Sequence, residues 1–275
     1  MDQNMTTFSS IGNTLPEITF EETDETCEKH NVKLINFADR AICPVCAKEL
    51  TEQHSQDLVA AETEKYYSKN KKCLSSRSLF TDGTLKAASF DTYETPDEET
   101  AVNKEKARQI AGQYLKGATF NTIMTGKVGT GKSHLSMSML RAVNDHSNPF
   151  KRCLFVSIDE LISLLRESYK SPETHTEHEL RNLCVEADLL VLDDLGAEVG
   201  AISTERGAAN DVVRMINAIV NGRMDKPTIF TTNLNSGQLR KMYDERIASR
   251  ILKGVTNERI IKFEKTKDKR NRIEF

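Results

Sequence analysis

The chain has 275 residues, of which 29% are charged, and it contains no Trp. A single core usually stops growing near ~250 residues, so this length predicts a core domain and a smaller module. No membrane span or secretory signal is evident, so we expect a cytoplasmic protein with reduced cysteines and no membrane partner. The formal net charge of −3 gives no global attraction for nucleic acid.

The first hundred residues change character twice. Residues 1–26 carry six acidic side chains and no Lys or Arg, so we expect a solvated, flexible arm. Residues 47–73 contain good helix formers without Pro or Gly, which predicts a long, largely polar helix. Residues 75–100 lose this periodicity and collect Ser, Thr, Gly and Pro. We predict a linker and domain edge there.

Four potential metal ligands form two short pairs near the N-terminus. Cys27 and His30 precede Cys43 and Cys46, which gives the spacing C-x2-H-x12-C-x2-C. Two such pairs suit a tetrahedral zinc ion with four nitrogen and sulfur ligands. A redox C-x-x-C pair needs a thioredoxin-like βαβ setting, which the surrounding sequence lacks. We therefore predict a zinc module; unrelated cysteines are the alternative, and His54 is an outside candidate ligand.

From residue 101 onward, helical and strand patterns alternate. Strands are predicted at 120–125, 153–157, 188–193, 228–232 and 258–263, and helices at 101–115, 132–144, 159–169, 203–222 and 244–252. This alternation predicts an α/β fold, with helices on both faces of a parallel sheet. The run LLVL before Asp193 is apolar throughout, as expected for a central strand buried on both faces.

The octapeptide GKVGTGKS, from Gly126 to Ser133, fits the phosphate-binding pattern G-x-x-x-x-G-K-[ST] between a predicted strand and a predicted helix. Glycines let backbone N–H groups turn toward phosphate oxygens, and the helix start directs its positive end at the same anion. Lys132 is predicted to reach the β- and γ-phosphates and Ser133 to bind Mg²⁺. The predicted nucleotide-binding residues here are Gly126, Lys127, Val128, Gly129, Thr130, Gly131, Lys132, Ser133 and His134.

Polar residues after later strands extend this candidate site. Asp193 is predicted to bind Mg²⁺ and Asp194 to polarise the attacking water, whereas a surface acidic turn is the alternative. Asn233 follows the next strand and would orient the water or the γ-phosphate, or serve as an ordinary turn residue. Arg246 and Arg250 lie four residues apart on one predicted helix face. Arg250 is the candidate for a guanidinium supplied to a neighbouring subunit; a solvated or ion-paired arginine is the alternative.

Together these motifs resemble the AAA+ ATPases of the DnaC/DnaI helicase-loader group. The resemblance is carried by FNTIMTGKVGTGKSHLSMSML, LFVSIDELISLLRESY, LLVLDDLGAE, TIFTTNL and ERIASRIL, and covers about residues 86–275. It implies a five-stranded parallel sheet, ATP bound between subunits, and a replicative helicase escorted onto single-stranded DNA. It assigns Asn233 to sensing the γ-phosphate, Arg250 to the trans-acting arginine and Arg270 to the second sensor, with Arg272 as the alternative.

The resulting hypothesis is an ATP-dependent DNA replication protein that binds a replicative helicase and loads it onto single-stranded DNA. ATP, Mg²⁺ and Zn²⁺ are the expected cofactors, and a homo-oligomer forms through the ATP site. Many AAA+ enzymes have Glu where this chain has Asp194, so we expect slow turnover, stimulated by DNA or the partner. Alternatives are an IstB-like transposition helper ATPase and a nucleotide-switched adaptor with negligible turnover. The predicted organisation is an acidic arm over 1–26, a zinc module and helix over 27–74, a linker over 75–100 and an AAA+ domain over 101–275.

Overall fold

The computed structural model describes residues 20–37, 40–171, 175–196 and 206–269. The chain divides into two compact units, residues 1–65 and 66–275, and the boundary falls inside a long helix. Across the described ranges, every helix is too short or too polar to cross a membrane.

The predicted linker over residues 75–100 needs correction, because these residues belong to the second unit. Leu79 forms a parallel bridge with Val156, and the Phe80 ring stacks on Phe155 with centroids 5.1 Å apart. Turn-forming residues suggested a linker, but these two apolar side chains pack on the edge strand of a five-stranded sheet, the strand that contains Phe155 and Val156. The domain edge therefore lies earlier than composition indicates.

The first unit contains a three-stranded antiparallel sheet in the order β1-β2-β3. Its elements are β1 (Glu22–Thr26), β2 (Lys33–Phe37), β3 (Arg40–Ile42) and the start of helix α1 (Pro44–Arg77). Strand β1 lies within the segment predicted as a flexible acidic arm, so that prediction is wrong for the residues of β1. Pairing with β2 supplies hydrogen bonds that compensate for its poor apolar periodicity. Residues 1–19 of the predicted arm lie outside the described residues.

The second unit is built on a five-stranded parallel sheet in the order β5-β6-β7-β4-β8, which confirms the predicted fold class. The strands are β4 (Thr122–Gly126), β5 (Cys153–Ser157), β6 (Leu189–Leu195), β7 (Thr228–Thr232) and β8 (Ile260–Phe263). The helices are α2 (Glu98–Leu115), α3 (Lys132–His146), α4 (Ile158–Lys170), α5 (Glu177–Glu186), α6 (Arg206–Asn221), α7 (Ser236–Met242) and α8 (Glu245–Ile251).

Buried apolar residues form two clusters, one on each face of this sheet. On strand β5, Leu154 and Val156 join one cluster while Cys153 and Phe155 join the other. Successive strand residues point to opposite faces, so a wholly apolar strand requires helices on both sides. The first cluster includes residues of α4, α5, α6, α7 and α8, and the second includes residues of α2 and α3.

Two short helices, α5 and α7, were absent from the sequence prediction. Each begins with a capping box, in which the cap residue and the residue three positions later exchange hydrogen bonds. The pairs are Thr176 with Glu179 and Asn235 with Gln238. These spacings are the sequence signal that would have identified both helices.

Arg223 holds together the segments that enter strands β6 and β7. Its buried guanidinium donates to the carbonyl oxygens of Cys184 at 2.7 Å, Ala187 at 2.6 Å and Pro227 at 2.7 Å. It also donates to Thr228 Oγ1 at 3.0 Å. Burial lowers the pKa of Arg223 to about 10, so the side chain remains charged at neutral pH.

Replacing Arg223 with methionine is expected to destabilise the second unit by more than about 3 kcal/mol. Each buried polar group left without a partner costs about 1–3 kcal/mol, and this change orphans several carbonyls at once. Chemical unfolding followed by circular dichroism measures the loss. Arg166→Met provides the control because Arg166 is exposed. Equal losses for both variants would contradict the role assigned to Arg223.

Candidate functional site

The loop from Gly126 to Ser133 connects strand β4 to helix α3, in the setting that its motif predicts. Gly129 and Gly131 have φ angles of 75° and 95°, in the left-handed region that favours glycine. Gly131 is the residue immediately before α3. The unpaired N–H groups and positive end of a helix start suit such a loop for binding phosphate.

The ammonium group of Lys132 links this loop to strand β7. Its Nζ donates to the carbonyl oxygens of Gly126 at 2.8 Å and Lys127 at 2.7 Å. It also donates to Oδ1 of Asn233 at 2.7 Å. The side chain is buried, so these contacts are largely shielded from water.

The two carboxylates on strand β6 have different surroundings. Asp193 is buried and accepts a hydrogen bond from Thr231 Oγ1 at 2.7 Å. Burial raises the pKa of Asp193 to about 6, while hydrogen bonds from Thr231 and Ser133 oppose the rise. Asp194 has a φ of 64° and lies where the register between β6 and β7 shifts. Asp194 accepts a hydrogen bond from Asn233 Nδ2 at 3.1 Å.

Asn233 joins the two halves of the candidate site. Its side chain accepts from Lys132 and donates to Asp194. Strand β7 lies between β4 and β6 in the sheet. The residue after β7 can therefore reach both the loop after β4 and the carboxylate at the end of β6. The fold thus brings together three of the predicted site residues.

His134, in the first turn of α3, faces the segment that precedes α2. Its Nε2 lies 3.0 Å from Thr92 Oγ1 and 3.2 Å from the carbonyl oxygen of Ser89. The Tyr93 ring packs edge-on against the imidazole, with centroids 5.4 Å apart. Burial lowers the pKa of His134. Residues 89–93 therefore lie beside the predicted nucleotide site.

The segment after strand β8 returns to the phosphate-binding loop. The carboxylate of Glu99, in the first turn of α2, accepts N–H groups of residues 264–266 at 2.7–3.1 Å. Further along, the N–H of Lys269 donates to the carbonyl oxygen of Gly129 at 2.9 Å. The Glu99 side chain thereby anchors a segment that contacts the loop directly. Glu99 was missed because a helix-start glutamate is commonplace in sequence.

Arg270 and Arg272, the two candidates for the second sensor, lie outside the described residues. The residue before them, Lys269, donates from Nζ to the carbonyl oxygen of Glu94 at 2.7 Å. Its ammonium also lies 4.2 Å from the centroid of the Tyr93 ring. A cation thus stands beside the candidate site at the position preceding Arg270.

The candidate trans-acting arginine is placed differently. Arg250 is half-buried in helix α8, and its carbonyl oxygen accepts a hydrogen bond from the side chain of Asn121, the residue before β4. Arg246 is exposed one turn earlier. Within the described ranges, neither guanidinium forms an ion pair with Asp244, Glu245 or any other carboxylate. Among the described residues, the Arg250 side chain donates no hydrogen bond to the phosphate-binding loop of its own chain.

Replacing Gly126 with alanine is expected to destabilise the second unit by about 1–3 kcal/mol, the usual cost of overpacking. A Cβ at Gly126 would lie 2.6 Å from both Cβ and the carbonyl oxygen of Phe263 on strand β8. Strands β4 and β8 would have to separate to admit it. Gly83→Ala is the control, because the φ of Gly83 lies outside the left-handed region and no neighbouring atom lies within 4 Å of the place its added methyl group would take. Urea unfolding measures the free energy of unfolding of both variants, and a loss for Gly126→Ala no larger than that of the control would contradict the clash.

In the first unit, the four predicted zinc ligands converge. One ligand atom from each of Cys27, His30, Cys43 and Cys46 lies within 4.8 Å of the other three. The Cys27 and Cys46 sulfurs are 3.8 Å apart, and His30 Nδ1 lies 3.3–3.8 Å from the three sulfurs. Tetrahedral zinc with typical bond lengths separates its ligand atoms by about 3.5–3.8 Å. The donor set and its spacing therefore fit zinc.

Local backbone geometry produces this convergence. Asn31 has a φ of 52° and donates its N–H to the carbonyl oxygen of Cys27 at 2.8 Å, which closes the turn between β1 and β2. Cys43 immediately precedes helix α1, and the Cys46 N–H donates to its sulfur at 3.4 Å. Backbone N–H groups, first that of His30, lower the pKa of Cys27 to about 6. A thiolate is the form that binds metal.

Glu49 is a further residue of this site that sequence reasoning missed. Its Oε1 lies 3.1 Å from His30 Nε2, and its Oε2 lies 2.6 Å from Lys29 Nζ. Metal-bound histidines usually donate their second ring N–H to a carboxylate, which orients the ring. The C-x-x-C-x-x-E spacing places Glu49 one turn beyond Cys46, which is the signal that was available.

Replacing Glu49 with glutamine is expected to weaken zinc binding by about 10–100-fold, the usual effect of losing such a partner. Competition with a coloured chelator on the full chain measures the affinity. Glu52→Gln removes the same charge from an exposed residue of α1 and should bind zinc as the wild type does. Lys29→Met tests whether the effect operates through the ion pair instead. Loss of affinity in Lys29→Met but not in Glu49→Gln would contradict the assignment.

Comparison with known proteins agrees with these observations. The sequence profile of the IstB-like ATP binding protein family matches residues 64–270. The "Replicative helicase loader DnaC" of Escherichia coli strain K12 is 29% identical over 168 residues, which make up 60% of this chain and 63% of that protein. The chain therefore matches less than two thirds of the length of this curated relative.

Two solved structures share the fold. The "Crystal Structure of the DnaI" covers 68% of this chain and 95% of its own, at 24% identity and a TM-score of 0.50. The "Crystal structure of the DnaC helicase loader" covers 66% and 99%, at 18% identity and a TM-score of 0.52. The family profile and the sequence relative confirm the predicted resemblance to the DnaC/DnaI group, and the two structures confirm the predicted fold.

Proposed function

The chain belongs to the family of IstB-like ATP-binding proteins, and from this premise we propose that it binds a replicative helicase and loads it onto single-stranded DNA in the cytoplasm. Sequence similarity to a replicative helicase loader supports the proposal. The observation that carries it is the hydrogen-bonded connection from Lys132 through Asn233 to Asp194. A loader must convert the state of its nucleotide into a change of partner affinity, and this connection links the phosphate loop to the hydrolytic carboxylate.

In this proposal the chain's own residues divide the work of ATP turnover. The loop from Gly126 to His134 holds the phosphates, and Ser133 and Asp193 hold Mg²⁺. Asp194 takes part in activating water, since a carboxylate accepts its proton. Asn233 passes a change at Lys132 to Asp194, because its one side chain binds both. Arg250 acts on the site of a neighbouring copy, which makes the active form a homo-oligomer.

The zinc module serves in this proposal to dock the helicase. Its four ligands and Glu49 stabilise a small folded surface at the start of α1. The test is retention of the replicative helicase by the immobilised full chain, with ATP and without nucleotide. We expect retention by the wild type and its loss in Cys43→Ser, with Leu50→Ser as the control because Leu50 is an exposed residue of α1. A wild-type chain that retains no helicase under either condition would refute the loader function.

A transposition helper is the second candidate, and the family profile itself favours it. Such a helper would assemble on duplex DNA in the presence of ATP and recruit a transposase. Electrophoretic mobility shifts with duplex and single-stranded DNA distinguish the two functions. Preference for duplex, together with no helicase retention, would favour the transposition helper.

A nucleotide-switched adaptor is the third candidate. In that case ATP acts as a conformational ligand and hydrolysis contributes nothing. Asp194→Ala separates this function from the loader, because it removes the carboxylate while leaving the phosphate loop intact. Unchanged helicase binding and unchanged loading by Asp194→Ala would favour the adaptor.

A further inference from the structure

One stretch of helix α1, which follows Glu64, combines cations with aromatic rings. Residues 65–81 contain no Asp or Glu. Within this stretch Tyr66, Lys69, Lys71, Lys72 and Arg77 are all exposed. We propose that the cationic, aromatic face formed by Tyr66, Lys69 and Lys72 is a binding surface for single-stranded nucleic acid. The inference rests on the proposed function, because it locates the surface that would contact the single strand.

The second unit holds this part of the helix firmly. Asn70, Cys73 and Leu74 are buried, and Asn70 Nδ2 donates to the carbonyl oxygen of Phe150 at 3.3 Å. Tyr66, Lys69 and Lys72 follow one another in steps of three residues, so they lie along one side of the helix, and all three are exposed beside these buried residues. The cations are therefore displayed on a packed helix rather than on a mobile tail.

The charges of this face remain available to a ligand. Among the described residues, no carboxylate lies within ion-pair distance of Lys69 or Lys72. Cations that are not neutralised by the protein are suited to replace the counterions of a phosphate backbone.

Tyr66 distinguishes a nucleic acid from an acidic protein as the ligand. Tyr66 is 56% exposed, so its ring is accessible to a ligand. The Tyr67 ring meets it edge-on, with centroids 5.4 Å apart and an interplanar angle of 71°. A supported, exposed ring beside lysines is the arrangement on which bases of single strands stack. An acidic protein surface would need the lysines but not the ring.

The first test measures the charge contribution. The full chain is titrated into a fluorescent oligothymidylate of about 16 nucleotides, a length that spans a typical site, at several salt concentrations. Lys69→Gln/Lys72→Gln should lower the slope of log affinity against log salt by about 1.4, since each single-strand phosphate contact contributes about 0.7. Lys116→Gln/Lys241→Gln removes two exposed charges elsewhere and should leave the slope unchanged. Identical slopes for both double variants would overturn the proposal.

The second test measures the contribution of the ring. Tyr66→Ala should weaken binding by roughly 5–150-fold, the range that corresponds to losing one stacked base. Tyr66→Phe keeps the ring and should bind as the wild type does. Equal affinities for the alanine, phenylalanine and wild-type chains would exclude base stacking and overturn the proposal. If none of these substitutions weakens oligonucleotide binding but they abolish binding of an acidic protein, the proposal is overturned and the face is assigned to a protein partner.

The readouts separate this inference from the proposed function. Helicase retention and ATP affinity are measured on the same variants, because none of these side chains belongs to the nucleotide site or the zinc site. If the lysine variants and the Tyr66 variants still retain helicase and bind the oligonucleotide as the wild type does, the inference is overturned while the loader function stands. Weakened oligonucleotide binding by a chain that retains no helicase supports the inference and refutes the loader function.

Discussion

An Arg250→Ala chain is expected to bind ATP with wild-type affinity but to hydrolyse it about 10³–10⁵-fold more slowly, the range known for a missing trans-acting arginine. A guanidinium placed at the transferring phosphate stabilises charge that develops during the reaction, so its loss affects turnover rather than binding. Arg250 is half-buried in α8 and forms no ion pair with the described residues, which leaves its charge available to a neighbouring copy. Single-turnover hydrolysis and titration with a fluorescent ATP analogue measure the two quantities.

Mixing experiments test whether Arg250 acts between subunits. Asp194→Ala chains retain Arg250, and Arg250→Ala chains retain Asp194, so a mixed oligomer contains some complete sites. Partial recovery of turnover in the mixture is therefore expected. Arg246→Ala is the control, since Arg246 is exposed one turn earlier in the same helix. Recovery that fails to occur, or an equal defect in Arg246→Ala, would contradict action in trans.

Removing zinc is expected to unfold the first unit while leaving the second folded. Among residues 20–37 and 40–65, Cys43 is the only hydrophobic residue that is buried. A unit without an apolar core needs another source of stability, and structural zinc supplies about 10–16 kcal/mol in small domains. Chelation of the full chain, or Cys43→Ser, should expose residues near the N-terminus to protease. Hydrogen exchange measures both units in one sample.

The matched control for this result keeps the metal ligands. Leu50→Ser replaces an exposed residue of α1 and should leave the protection of the first unit unchanged. Readdition of Zn²⁺, but not of Mg²⁺, should restore protection after chelation, because thiolate and imidazole ligands favour zinc. A first unit that stays protected after complete removal of zinc would show that strands β1, β2 and β3 are stable without it.

Local patterns were sufficient for much of the fold. The apolar run of β6 and the alternation of helices and strands predicted a parallel sheet, because a strand buried on both faces leaves a direct trace in composition. The phosphate-binding loop was also predictable, because its glycines and Lys132 lie within one octapeptide. Helices α5 and α7 were missed because their apolar periods are short, although their capping boxes are present.

The boundary between the two units could not be derived from composition. Ser, Thr and Gly suggest a linker over residues 75–100, but Leu79 and Phe80 contact strand β5. Whether a polar stretch stands free or packs depends on a few apolar side chains and on the surface that receives them. That surface is formed by residues distant in the chain.

By itself, the sequence determined which chemical groups this protein carries: a phosphate-binding loop motif, paired carboxylates on a buried strand, and two pairs of cysteine and histidine residues whose spacing suits zinc. Only the tertiary structure decided which of them meet. The strand order places β7 between β4 and β6, so Asn233 contacts both Lys132 and Asp194. Likewise, Glu49 reaches His30 only because the β1–β2 turn folds against the start of α1. Strand order and helix docking depend on packing between residues that are distant in the chain, so local sequence patterns do not predict them.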